Sequence, residues 1–218
     1  MLKLFYAPTP PNLRVILLLE ELKLDYKSFP INVFKKETLN PEYANIVPTK
    51  KVPAIFDNGE LFFDSANILL HLAQKYNKLM PKSLSWFFWG VSELNPKFMQ
   101  LVAEIKLGNT NVDTMDKIKE QLRTLLVVLN EQLDNKGFLE DNTYSIADIN
   151  VYATIKMYLL REVIGDVIAP LVKDLSNINR WIANIDKRDA SQKMFEITDD
   201  FNKEAISNKN EITNFYNS

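Results

Sequence analysis

The stretch Lys51-Val52-Pro53-Ala54-Ile55 constrains what this chain can fold into more than any other. An apolar run that opens on proline cannot be an ordinary central strand, because proline donates no ladder hydrogen bond and is accepted only at a strand's first residue or on an edge. Pro53 therefore marks the entry to a strand. A cis Val52-Pro53 bond would turn the chain sharply there and leave the Val52 amide and carbonyl pointing outward, able to bind a peptide-like ligand. Leu61-Phe62-Phe63-Asp64-Ser65 comes next, and after it Ile68, Leu69, Leu72, Ala73 and Tyr76 fall at helical spacing. This pattern predicts Ser65 as the N-cap, its hydroxyl and the free N–H groups of the first turn facing whatever lies beside Val52. A strand-like backbone edge, an anion-binding helix start and the Asp64 carboxylate between them suit a small peptide carrying its own carboxylate and amine.

Upstream, Leu2 to Tyr6 reads as a strand, and Val15, Leu18, Leu19 and Leu22 mark a helix. Between them lies Ala7-Pro8-Thr9-Pro10-Pro11-Asn12. Threonine before proline is a helix-start signature, since the N-cap oxygen takes an orphan N–H and proline at the first helical position needs none. The Thr9 hydroxyl has a second use: beside a positive helix end it can hydrogen-bond a ligand thiol and hold it as thiolate, the reactive form. Asp25 to Asn32 reads as a second strand, parallel to the first and joined to it by the crossover helix, a βαβ unit. Residues 34–46 are polar and read as a solvated helix or loop closing one side of the site. Ala54–Phe56 and Glu60–Phe63 form a hairpin about Asp57-Asn58-Gly59, whose Asn-Gly pair favours positive φ.

Composition removes several function classes. Lys and Arg number 26 against 28 Asp and Glu, a net charge of -2, which leaves no electrostatic footprint for nucleic acid or an anionic membrane. There is no cysteine, hence no disulfide framework, no thiolate nucleophile and no thiolate metal site, and any redox sulfur must come from a ligand. The single histidine, His71, cannot build a metal cluster alone; its place between Ile68 and Leu72 predicts a surface or interface residue. Met1–Tyr6 is too short for a signal-peptide core, and no apolar run reaches about 18 residues. A soluble, cytoplasmic protein is expected.

Periodicity is lost from Tyr76 to Ser85, a stretch that includes Pro81. The expected division is an α/β domain over 1–78, a linker over 79–85, an all-helical domain over 86–200 and a polar tail over 201–218. Trp86-Phe87-Phe88-Trp89-Gly90-Val91 opens a helix that continues through Phe98, Leu101, Val102 and Ile105, and another runs from Ile118 to Leu133 before Asn135-Lys136-Gly137. Ser145 and Asp148 form a capping box, with Tyr144 and Ile149 as its staple. Trp181, Ile182 and Ile185 mark a later helix.

The Val52-Pro53-Ala54 segment with Asp64-Ser65 resembles the glutathione site of the glutathione transferases, and the resemblance runs over nearly the whole chain. It implies a thioredoxin-like α/β domain followed by an all-α domain. It also implies glutathione lying along Val52 and Pro53, its γ-glutamyl end at Asp64 and Ser65, its glycyl end toward Lys51 and Thr38, and its sulfur at Thr9 with Asn12 in the same loop. Tyr6 competes for the thiol, because other classes use a tyrosine near this strand end. Trp86 to Val91 is similar to a run in the nu class and its prion-like regulatory relatives, and Ser145-Ile146-Ala147-Asp148 matches a buried helix start of the family. The implied activity conjugates or reduces small electrophiles or disulfides with glutathione as co-substrate, in a homodimer without metal. The rival reading is a glutathione-binding scaffold or regulator without turnover.

Overall fold

Leu2–Tyr6 forms strand β1, buried along almost its whole length as a strand covered on both faces must be. It sits inside a four-stranded sheet of order β2-β1-β3-β4. The computed structural model describes residues 1–33, 35–108 and 111–204. They fall into two compact units, Met1–Lys78 with Asp189–Glu204, and Leu79–Arg188. In the first, helix α1 (Pro10–Leu22) crosses from β1 to the parallel strand β2 (Tyr26–Pro30). A 3-10 turn at Glu37–Leu39 and helix α2 (Pro41–Ala44) follow. The hairpin β3 (Ala54–Asp57) and β4 (Glu60–Phe63) is antiparallel to β1 through β3, and helix α3 (Ser65–Tyr76) completes the βαβ-ββα order. Asp57 pairs with Glu60, so the turn is the two residues Asn58 and Gly59, both at positive φ (53° and 88°) as the Asn-Gly pair predicts.

The region expected to be solvated is only partly so. Tyr43 of α2 is fully buried among Phe5, Phe29, Ile31 and Val47, its ring 5.3 Å from that of Phe5 and edge-on to it. Its hydroxyl donates to the Lys51 carbonyl at 2.7 Å, which satisfies the phenol and fixes the backbone just before Val52. The signal in the sequence was a lone aromatic within polar neighbours. Phe34 lies outside the described residues.

His71, half-buried, has partners within its own unit. It stacks on Phe62 at 3.6 Å between centroids, and its Nε2 lies 2.8 Å from Asp57 Oδ2. Lys75 reaches both Asp57 oxygens at 2.6 Å, so α3 is clamped to the far end of the hairpin. Burial acts to raise the Asp57 pKa, but the hydrogen bonds from Lys75 and then His71 outweigh it and hold the carboxyl below its ordinary value. A depressed folded-state value means stability that is present above the unfolded pKa and lost as pH falls through the folded one. Denaturant midpoints measured from about pH 6 down to about pH 3 should therefore fall, and Asp57→Asn should flatten that limb. An unchanged limb in Asp57→Asn would show that other carboxylates carry it.

The second unit is helical: α4 (Ser85–Trp89), a π-helical segment (Gly90–Leu94), α5 (Asn95–Lys106), α6 (Val112–Gln132), α7 (Ile146–Leu159), α8 (Glu162–Val172) and α9 (Ser176–Asp186). The run from Ser85 to Lys106 is thus interrupted by a π turn, which periodicity alone does not reveal. A Cβ at Gly90 would come 2.6 Å from the Asn150 Nδ2, the atom that donates to the Phe87 carbonyl at 2.9 Å, so glycine is what lets α7 approach. The capping box at Ser145 and Asp148 forms as predicted. Helix α10 (Asp189–Glu204) groups with the first unit, although periodicity alone extends the helical domain to 200. Lys193 reaches Glu20 of α1 at 3.5 Å, and Glu20 also accepts from the Tyr26 hydroxyl at 2.9 Å. Of the polar tail, 205–218 lie outside the described residues.

Candidate functional site

The strand register decides which residues can meet. Phe5 pairs with Ala54, and Ala54 with Phe63. The residues beyond each, Tyr6-Ala7 at the end of β1, Pro53-Val52 before β3 and Asp64-Ser65 after β4, therefore emerge at one end of the sheet. The Val52-Pro53 bond is cis, and no hydrogen bond engages the Val52 amide or carbonyl among the described residues. Pro53 is buried, and half-buried Val52 packs against the core cluster that holds Phe5 and Tyr43.

Thr9 sits at the N-cap of α1 in extended conformation (φ -128°, ψ 155°), but its hydroxyl makes no cap hydrogen bond. Its oxygen instead accepts from the Asn12 Nδ2 at 2.6 Å, while the Asn12 Oδ1 accepts from the Ala7 amide at 3.0 Å. The two prolines explain this. Pro10 and Pro11 occupy the first two helical positions, where no N–H is needed, and bring Asn12 to the third, from which a side chain reaches back to the N-cap. Asn12 is fully buried and Thr9 half-buried. A hydroxyl has one donor hydrogen and two acceptor sites. With Asn12 donating to the oxygen, the Thr9 hydrogen is available as a donor beside the positive end of α1.

At the start of α3 the predicted cap is displaced by one residue. Asp64 is the N-cap, accepting from the Ala66 and Asn67 amides at 2.9 and 3.3 Å, and Ser65 is already the first helical residue. A carboxylate reaches the orphan amides more readily than the hydroxyl behind it. Asp64 also holds φ at 68°, a backbone state that costs a residue with a Cβ about 1–3 kcal/mol; the two cap bonds offset it. Ser65 is 6% exposed, and its oxygen accepts from the Arg14 Nη1 at 3.2 Å. Arg14 was not singled out by sequence reasoning. Its signal was a charged residue inside the apolar run Leu13 to Leu19, where every residue is buried.

Thr9 and Asn12 are thus bonded to one another, and Ser65 is tied to α1 through Arg14. Thr38 lies half-buried on the 3-10 turn and Lys51 is exposed just before Val52; among the described residues no hydrogen bond joins either side chain to the rest of the set. Tyr6 is buried at the end of β1. No group of three or more His, Cys, Asp or Glu among the described residues could hold a metal ion, and no described helix is long and apolar enough to cross a membrane.

The same two-part organisation is found in known proteins. Residues 4–81 match the glutathione S-transferase N-terminal domain and residues 94–189 the glutathione S-transferase C-terminal domain. The disulfide-bond oxidoreductase YfcG of Escherichia coli is 30% identical over 189 residues, covering 80% of this chain and 87% of that protein. The chain belongs to the glutathione S-transferase family. Its first unit is the family's thioredoxin-like domain, and its second the helical domain. Among solved members, a Pseudomonas putida glutathione transferase with one glutathione disulfide bound per subunit superposes at TM-score 0.81 with 25% identity, over 90% of this chain and 91% of that one. A Burkholderia graminis glutathione transferase with two glutathione molecules per subunit is 27% identical at TM-score 0.77, over 88% of this chain and 86% of that one.

Proposed function

We propose that the protein is a glutathione-dependent transferase whose bound thiolate attacks small electrophiles or disulfides. The observation that carries this reading is the bond from the Asn12 Nδ2 to the Thr9 oxygen at 2.6 Å, which fixes the half-buried hydroxyl at the start of α1 with its hydrogen left for the ligand sulfur. Glutathione lies along the Val52 and Pro53 edge, its γ-glutamyl end at Asp64 and Ser65 with the carboxylate at the Ser65 hydroxyl, its glycyl carboxylate toward Lys51 and Thr38, and its sulfur at Thr9. The positive end of α1 and the hydroxyl both favour the charged sulfur, so the thiol ionises more readily. Holding that thiolate against a second substrate supplies orientation. Neither step uses a metal.

Disulfide reduction is open to the same thiolate. The glutathione sulfur attacks one sulfur of the substrate disulfide, forms a new S–S bond and releases the other as thiolate. A second glutathione thiolate then attacks the mixed disulfide, giving glutathione disulfide and the second substrate thiolate. The chain has no cysteine, so both equivalents come from glutathione. The relatives that hold two glutathione molecules or the disulfide support this stoichiometry. The Thr9 loop and the Trp86 to Val91 run favour the nu class, and a twofold homodimer in the cytoplasm belongs with the same reading.

Calorimetric titration with glutathione, followed by turnover with a model electrophile and a model disulfide, tests it. Binding with turnover is expected, and Ser65→Ala should weaken binding by about 2 kcal/mol, the scale of a hydrogen bond to a charged group. Binding without turnover of either substrate would favour a scaffold.

A further inference from the structure

We infer that Arg14 is a positioning residue that acts through Ser65 and couples the two halves of the site. The inference rests on the proposal that Ser65 holds the γ-glutamyl carboxylate of glutathione. Arg14 is only 3% exposed and lies two residues after Asn12 on α1, the helix that presents Thr9. From Asn12 to Leu19 every residue of α1 is buried, and Asn12 and Arg14 are the two polar ones. One holds Thr9, and the other holds Ser65.

Burying a guanidinium among aliphatic side chains costs several kcal/mol unless its donors are used, so packing alone is a poor reason for arginine here. Its planar, permanently charged donor fork gives what Ser65 needs. The Nη1 donates to one acceptor site of the Ser65 oxygen at 3.2 Å. A guanidinium has no acceptor, so the Ser65 hydrogen cannot turn back toward it and is left for an acceptor on the other side. Ser65 is the first residue of α3, next to Asp64, whose Oδ1 accepts from both the Ala66 and the Asn67 amides. The Ser65 hydroxyl is thereby set as a donor toward a ligand carboxylate. Because Arg14 shares a rigid helix with Asn12, the distance between the carboxylate subsite and the sulfur subsite is fixed by one element and not by loops.

The test is a double-mutant cycle on glutathione affinity with wild type, Arg14→Met, Ser65→Ala and the double variant. Arg14→Met should weaken glutathione about tenfold and raise KM far more than it lowers kcat, leaving the pH at which the bound thiol ionises unchanged. In the Ser65→Ala background the same change should have less than about a twofold effect, since Arg14 then has no hydroxyl to orient. Arg14→Lys, which keeps charge and a donor, should recover part of the affinity; should Arg14→Met not fold, Arg14→Gln takes its place in the cycle. Unchanged affinity in Arg14→Met, or a full additional loss in the double variant, overturns the inference while leaving glutathione binding intact. A wild-type protein that binds no glutathione overturns the proposed function and this inference together.

Discussion

Replacing Thr9 by alanine should slow glutathione turnover near neutral pH by about a hundredfold, the usual effect of removing one donor from a developing or stabilised anion. Affinity should stay nearly intact, because the peptide is held along Val52 and at Ser65, away from the sulfur. The loss should shrink as pH rises, since at high pH the thiol ionises without help. Thr9→Ser keeps the donor and should be mild, provided that serine still accepts from the Asn12 amide. A purely structural Thr9 would behave differently, losing about 1 kcal/mol of stability with an unchanged pH profile. The structure already weakens that alternative, because the hydroxyl makes no cap bond. Asn12→Ala should share the Thr9→Ala phenotype in part, as the hydroxyl would lose its fixed direction.

The second large effect is on folding. Asp148 is fully buried and accepts from the Leu139 amide at 2.9 Å, the Trp181 Nε1 at 3.0 Å, and the Ser145 amide and hydroxyl at 3.1 and 3.3 Å. It therefore joins the start of α7, the loop before it and the core of α9. Asp148→Ala leaves three buried N–H groups without that acceptor, at about 1–3 kcal/mol each when additivity is discounted. A net loss of about 4 kcal/mol is expected in urea unfolding followed by far-ultraviolet circular dichroism, a large share of a typical domain's stability. Burial pushes the Asp148 pKa up to about 6, against the opposing hydrogen bonds from Leu139, Trp181 and Ser145. A carboxyl raised in the folded state binds more protons there than in the unfolded chain, so its contribution to stability falls as pH rises from the ordinary carboxylate value to about 6. Asp148→Asn should be less stable than wild type at neutral pH and should lose that slope. Equal midpoints for wild type and Asp148→Asn at neutral pH would contradict the structural role.

The parts of this molecule that were legible in the sequence are those where local chemistry and long-range packing agree. Proline at Pro53, the Asn58-Gly59 turn, the apolar spacing of α1 and the capping box at Ser145 each act over a few residues, and each was read with its neighbours alone. What escaped reading depends on distant partners. Asp64 and Ser65 differ by one residue in cap role, and only the positions of the Ala66 and Asn67 amides and of Arg14 separate them. Tyr43 falls in a stretch that reads as solvated, yet it is buried with its hydroxyl on the Lys51 carbonyl, a partner that no periodicity announces. The π turn at Gly90 and the grouping of α10 with the first unit depend on the packing of α7 and α1. For the candidate site, the loop's own residues single out Thr9 while Asn12 enters only through the family resemblance, and the bond between them follows from a third-position side chain reaching back over two prolines.

The central claim is that the Thr9 hydroxyl holds the sulfur of bound glutathione as thiolate, and ultraviolet absorbance of that thiolate against pH reads it directly. Wild type saturated with glutathione should show the thiolate band appearing at lower pH than Thr9→Ala under the same occupancy, with Thr9→Ser close to wild type. Superimposable titrations of wild type and Thr9→Ala would contradict the claim and turn attention to Tyr6 or Asn12.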